Sequence, residues 1–269
     1  MDNYKQQVIE LFNSRTNYDQ EEGSQHPREA SLLLESVPIH QGQKILDVAT
    51  GTGLIAIPTA FKVGSEGYVI GVDMSPIMLH QAKEKVISTS LHNIEFIEAD
   101  AEHINFGENS FDIIFCCSAI VLFADIPASL QKWYHWLKPG GFIAFTCPPE
   151  TAYLASVYIN VCAKLFGISP RHILAQLGTP EKCYDLLEQA GFRDISIKIE
   201  PSGRYRNFQN NGLSWKSFNL IFKGNPLLPN PSPAKLDQLQ VEYKLEVEKL
   251  LTEQGIWEDT TTFFVRARK

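Results

Sequence analysis

From Lys44 to Cys147, short β-rich runs alternate with helical ones, and this rhythm constrains the fold more than any other feature of the chain. KILDVA, YVIGVD, IEFIEAD, FDIIFCC and FIAFTCP read as strands; LIAIPTAFKV, Pro76 to about Ser88, and IPASLQKWYHWL read as helices. The strands are apolar on both faces, as a parallel sheet covered on both sides requires. Ser75-Pro76 marks a helix N-terminus, and Lys138-Pro139-Gly140-Gly141 reads as a stop and turn. The fold class predicted is α/β: a doubly wound, mostly parallel sheet.

The flanks depart from that rhythm. Residues 3–13 read as a helix with Val8, Leu11 and Phe12 on one side, and a second helix runs from about Arg28 to Ser36. Beyond strand five, residues 151–166 and 180–190 look helical, DISIKIEP alternates as a strand, and TTFFVRARK is a last strand. Between those two strands lies a polar excursion with an aromatic segment (SWKSFNLIF), a Pro-rich turn and the helix KLDQLQVEYKLEVEKLL.

The first strand delivers Asp47 into the loop DVATGTG, where Gly51 and Gly53 let the backbone turn sharply and approach a ligand. Asp73 ends the second strand, where a carboxylate can accept hydrogen bonds from both hydroxyls of a ribose. Asp100-Ala101 ends the third, offering a carboxylate and a backbone N–H to an adenine edge. No Lys-Ser/Thr follows the glycines, which a P-loop needs, and Ile55-Ala56 stands where G-x-G-x-x-G needs its third glycine. Asp47 also repels a pyrophosphate and suits an ammonium group. The loop therefore fits an adenosine without phosphates. Other readings stand beside these: Asp73 as a helix cap, Asp100 as a turn acid, Met74 as core.

At this point the sequence resembles the class I S-adenosylmethionine-dependent methyltransferases. It looks most like the branch with the ubiquinone/menaquinone C-methyltransferases and many small-molecule methyltransferases (type 11). ILDVATGTG, GVDMSPIML, ADAEHINFGENSFDII and LKPGGFIAF carry the likeness, over about residues 40–147. The resemblance implies a seven-stranded Rossmann-like sheet. It also implies that Asp47, Thr50, Gly51, Thr52 and Gly53 surround the methionine moiety and ribose, with Asp47 near the amino group. Asp73 would bind the ribose diol, Met74 would pack on the adenine, and Asp100 and Ala101 would read its edge. Cys117 or Ser118 would hold the methionine end through the backbone. Family members often carry glycine where Ala49 stands.

Methyl transfer from a sulfonium is an in-line displacement that the cofactor itself activates, S-adenosylhomocysteine being the product. The protein must align the acceptor, exclude water and, for an OH or CH acid, take a proton. His26 is the expected base, because its loop is placed to close over the methyl group, and Tyr18 is expected to close the cofactor pocket. The chain is expected to be a single domain over 1–269. Within it, 40–147 is the cofactor core, and 1–36, 148–178 and 203–260 are a helical substrate cap. Phe12, Tyr153, Tyr158, Trp215, Phe218 and Phe222 suit a largely apolar pocket for a small quinone-like or natural-product-like acceptor, methylated at O or C. Alternatively, each aromatic packs the cap's own core.

Charge and composition narrow the alternatives. A net charge of −7 and a pI near 5.5 argue against nucleic acid and anionic lipid as partners. The place after strand four reads Cys117-Ser118-Ala119-Ile120 and not the Asn/Asp-Pro-Pro-aromatic of nucleic-acid methylation. The start MDNYKQQVIELF is not a secretory signal, and no run approaches the roughly 18 apolar residues of a membrane span. Five cysteines without metal-ligand spacing predict reduced thiols, a cytoplasmic protein and no metal. Two other functions remain open: a nicotinamide-dependent oxidoreductase on a related sheet, and an S-adenosylmethionine-binding protein without catalysis.

Overall fold

The computed structural model describes residues 3–21, 24–167, 172–206 and 232–269. In chain order its strands are β1 (Lys44–Val48), β2 (Tyr68–Asp73), β3 (Ile94–Glu98), β4 (Phe111–Cys116), β5 (Leu137–Cys147) and β6 (Arg193–Glu200). Then come β7 (Gly203–Arg206), β8 (Ile256–Asp259) and β9 (Thr262–Arg268). A seven-stranded sheet has the order β3-β2-β1-β4-β5-β9-β6. The pairs from β3 to β5 are all parallel, and β9 runs antiparallel to β5. The order reverses direction between β1 and β4, which opens a crevice at the carboxyl ends of those two strands.

The described residues fall into two compact units. One comprises Phe12–Cys147, Thr179–Ile199 and Phe263–Lys269, and so contains β1 to β5 whole. Its helices include α2 (His26–Glu35), α3 (Ala56–Val63), α4 (Pro76–Ile87), α5 (Ile126–Trp136) and α7 (Pro180–Gln189). Leu33 and Leu34 of α2 share a core with Ala56, Ala60 and Val63 of α3 and with Ile45, Val69, Ile113 and Phe115 of the sheet. Burying a leucine or phenylalanine side chain of this kind stabilises by about 1.5–3 kcal/mol. Residues 12–36, expected to be part of a cap, therefore belong to the sheet's own unit. Gly71 lets this core close: a Cβ there would sit 2.8 Å from Thr50 Oγ1 and 2.9 Å from Phe96 Cδ1.

Lys138-Pro139-Gly140-Gly141 differs from the turn expected after a helix. Phe111 pairs with Leu137 but Ile113 pairs with Phe142, so these four residues form a bulge inside β5. Gly140 takes φ +78°, and a Cβ at Gly141 would lie 2.8 Å from the Asp112 carbonyl, so both positions need glycine.

The other unit is drawn from Met1–Leu11, Pro148–Gly178 and Glu200–Thr262. It holds α1 (Asn3–Asn13) up to Leu11, α6 (Ala155–Phe166) and α8 (Pro233–Glu248). On α1 the buried side chains are Tyr4, Lys5 and Ile9, while Val8 and Leu11 are half-buried. The helix expected over 151–166 breaks at Tyr153 and Leu154, both at φ +56°. β7 and β8 pair as a two-stranded antiparallel ribbon within what the sequence presented as a polar excursion. In it Arg204 and Arg206 both donate through Nε to Glu258 Oε2, at 2.8 and 2.7 Å.

Candidate functional site

Asp47, level with Phe115 on β4, is 1% exposed on β1. Its Oδ2 accepts the Thr50 hydroxyl at 2.6 Å and the Ala56 N–H at 3.1 Å. Burial pushes its pKa up to about 7, opposed by those two hydrogen bonds and reinforced by the neighbouring Asp73. Two residues beyond, the chain leaves the sheet in left-handed conformation at Ala49 (φ 55°), and Ser118 does the same beyond β4 (φ 54°). A left-handed backbone of this kind is one that glycine adopts without a Cβ penalty. Gly51 and Gly53 follow at φ +55° and +80°, with open space where a Cβ of Gly51 would stand.

Asp73 is aimed at this turn. Its Oδ2 accepts the Gly51 N–H at 2.8 Å, its Oδ1 accepts the Ser75 N–H at 2.8 Å, and the Met74 N–H also points at it. Burial raises its pKa, against the pull of these backbone donors. The helix cap is Ser75, whose Oγ accepts the Met78 N–H at 3.1 Å, so Asp73 is not the cap. Met74 is half-buried. Asp100 accepts the Glu102 N–H at 2.9 Å and meets His103 Nδ1 at 2.6 Å, and Ala101 is buried beside it. The two strands are joined just above, where the Ala99 N–H donates to the Asp73 carbonyl at 3.0 Å.

The N-terminal segment is fastened onto the glycine loop. Asp19 accepts the Thr52 hydroxyl and the Lys85 ammonium of α4, and Lys85 also donates to the Thr52 carbonyl at 2.8 Å. Ser75 donates its hydroxyl to Asn13 at 2.7 Å, and Gln81 donates to the Arg15 carbonyl at 3.0 Å. Arg15 pairs with Glu21 and lies 4.3 Å from the Tyr18 ring centre, and Phe12 tilts against Tyr18 at 6.2 Å. Tyr18 stacks on His26, ring centres 4.7 Å apart and planes 8° from parallel. Burial holds the Tyr18 phenol well above its ordinary pKa.

At the end of β4, Ser118 donates its N–H to Thr146 Oγ1 at 2.7 Å and its hydroxyl to Glu29 of α2. Cys117 beside it is half-buried, and burial raises its thiol to about 12. Sequence reasoning missed Glu29, Asp19 and Lys85. Nothing local marks Glu29, which reads as an ordinary helix-surface acid; contact with Ser118, 89 residues away, gives it its place. The crevice thus brings together Tyr18, His26, Asp47, Thr50, Gly51, Thr52, Gly53, Asp73, Met74, Cys117 and Ser118 on connected elements, with Asp100 and Ala101 one strand further out.

The substrate candidates divide differently. Tyr158 is 1% exposed and packs edge-on to Tyr243 at 6.1 Å between α6 and α8. Tyr153 is half-buried at the break before α6. Trp215, Phe218 and Phe222 lie outside the described residues. Among the described residues no cluster of three metal-ligating side chains occurs, and no helix is long and apolar enough to cross a membrane.

The donor set fits a cationic nucleoside. Three acids, Asp47, Asp73 and Asp100, line the carboxyl ends of β1, β2 and the turn after β3, where a phosphate would be repelled and hydroxyl or ammonium donors accepted. A family model described as a methyltransferase domain matches residues 45–141. A demethylmenaquinone methyltransferase of Staphylococcus saprophyticus is 30% identical over 219 residues, covering 74% of this chain and 93% of the relative. The chain belongs to the S-adenosylmethionine-dependent methyltransferases. Another relative of this methyltransferase is the aklanonic acid methyltransferase DauC of a Streptomyces species, 33% identical over 147 residues, covering 54% of this chain. The chain spans 66% of DauC's length, and half the length of demethylmenaquinone methyltransferases from Listeria. In fold, the methyltransferase is similar to phosphoethanolamine N-methyltransferase 2 of Haemonchus contortus. The TM-score is 0.58 at 21% identity, over 99% of this chain and 57% of that one.

Proposed function

We propose that this methyltransferase moves a methyl group from S-adenosylmethionine to the oxygen or carbon of a small, largely apolar organic acceptor. The observation that carries the reading is the joined pair of Asp73 and Gly51 beside the buried Asp47, an acidic crevice built for a nucleoside without phosphates. Relatives named for aklanonic acid and demethylmenaquinone support a small organic acceptor.

In this reading Asp73 accepts the ribose diol, Asp100 and the Ala101 N–H bind the adenine edge, and Met74 packs on its face. Asp47 and Ser118 hold the methionine end, and the turn of Gly51, Thr52 and Gly53 admits the backbone close to it. When bound, S-adenosylmethionine supplies an electrophilic methyl on a sulfonium. Tyr18 and the segment clasped by Asp19 exclude water, and His26 takes the acceptor's proton. Phe12, which tilts against Tyr18, is assigned to the acceptor side of the site. Incubation with methyl-labelled S-adenosylmethionine and a panel of phenols, hydroquinones and aromatic acids tests the reaction. Label in an extracted acceptor supports the reading, and its absence across the panel with intact cofactor binding favours a non-catalytic binding protein.

A further inference from the structure

The methyltransferase reading leaves Glu29 without a task, yet its side chain is only 9% exposed and sits beside the expected base. His26 opens α2 and Glu29 follows one turn later, so both side chains share a helix face. Glu29 Oε2 lies 3.8 Å from His26 Nδ1. That nitrogen is buried and has no hydrogen-bond partner, although the side chain as a whole is 29% exposed. A buried, unpartnered ring nitrogen facing a carboxylate is the geometry of a base and its orienter, drawn apart by about an ångström.

The surroundings hold both members still. Tyr18 stacks flat on His26, which fixes the ring plane. The Ser118 hydroxyl donates to Glu29, and Ser118 is itself anchored through its N–H on Thr146 and constrained by φ +54°. Of the segment's other acids, Asp19 is engaged with Thr52 and Lys85, and Glu21, which also feels His26, is paired with Arg15. His40, His80, His92, His103 and His135 are exposed, so no other histidine of this unit combines burial with an acid partner in this way.

We propose that Glu29 is a positioning residue that fixes His26 as the Nδ1–H tautomer, leaving the Nε2 lone pair to take the acceptor's proton. The inference rests on the methyl-transfer reading. As the acceptor X–H attacks, the X–CH3 bond forms and the CH3–S⁺ bond breaks, its electron pair going to sulfur. The X–H proton passes to Nε2. The resulting imidazolium is balanced by the Glu29 carboxylate and returns its proton to solvent.

The test is long-range ¹H–¹⁵N spectroscopy of the full chain labelled at histidine, near pH 8, with His26→Ala to assign the ring. The expected wild-type spectrum has His26 Nδ1 protonated and Nε2 bare, and needs no variant. Glu29→Gln is expected to lose that fixed tautomer and lower kcat about 10-fold or more, with KM for S-adenosylmethionine unchanged. A wild-type His26 protonated at Nε2 overturns the proposal. So does a Glu29→Gln spectrum identical to wild type, or a Glu29→Gln defect confined to S-adenosylhomocysteine affinity. A fixed Nδ1–H tautomer in a protein that transfers no methyl group supports the pairing and counts against the reaction; turnover with a bare Nδ1 does the reverse.

Discussion

The Asp73 carboxylate accepts the Gly51 N–H at 2.8 Å, so the acid that ends β2 is already tied to the turn that leaves β1. The same carboxylate takes the Ser75 N–H that opens α4. One side chain thereby sets the distance between the glycine loop and the neighbouring strand before any ligand arrives. Replacing Asp73 with Ala is expected to weaken S-adenosylhomocysteine binding by about 1.5–3 kcal/mol, the worth of hydrogen bonds to a charged group. Calorimetric titration measures this directly. Unchanged affinity would remove Asp73 from the site.

Asp47 gives a pH dependence whose sign is fixed by its raised pKa. Burial favours its neutral form in the folded chain, at about 7 against the ordinary carboxylate value of 3.8, so between those values the folded state binds the extra proton. Its contribution to stability is therefore fully present below the unfolded pKa and is lost as pH rises through about 7. A cationic ligand favours the carboxylate, so binding should expel a proton in that window. Titrations at pH 6 in buffers of different ionisation enthalpy are expected to report net proton release, and Asp47→Asn to abolish it. Equal heats in every buffer would contradict this.

Gly71 tests the packing behind the loop. Its missing Cβ leaves room for Thr50 and Phe96, and Thr50 in turn holds Asp47. Gly71→Ala is expected to destabilise the protein by about 1–3 kcal/mol through overpacking. The measurement is the urea midpoint; a midpoint equal to wild type would mean that the neighbours yield freely.

Asp19 tests the clasp of the N-terminal segment. Its contacts with Thr52 and Lys85 are side-chain bonds of a half-exposed loop, worth about 1 kcal/mol. Asp19→Ala is expected to speed amide hydrogen exchange over residues 15–21 while leaving β1 and β4 protected. Exchange unchanged in that segment would show that Tyr18 and Phe12 hold it without Asp19.

The sheet and the acids of the crevice were legible because their signals are local. Asp47, Asp73 and Asp100 end apolar runs, and Ser75-Pro76 announces α4, whose cap hydrogen bond is formed as expected. What was not legible depends on long-range contact. Glu29 looks like a solvated helix acid until α2 packs on the sheet core and brings it to Ser118. GRYR and IWED are too short and polar to declare the β7–β8 ribbon, which exists because each supplies the other's partner. The LKPGG stretch carries every mark of a turn, but its neighbour in β4 draws it into a bulged strand. For Tyr158 the sequence allowed a pocket wall or cap packing alike, and its edge-on contact with Tyr243 is a long-range one that no local pattern shows.

The central claim is that the crevice between β1 and β4 binds an adenosine without phosphates. Isothermal titration of the purified chain with S-adenosylmethionine, S-adenosylhomocysteine and NADH, side by side, tests it most directly. Binding of the first two and no heat from NADH is the expected result. Binding of NADH alone would contradict it, and with it the roles assigned to Asp47, Asp73 and Asp100.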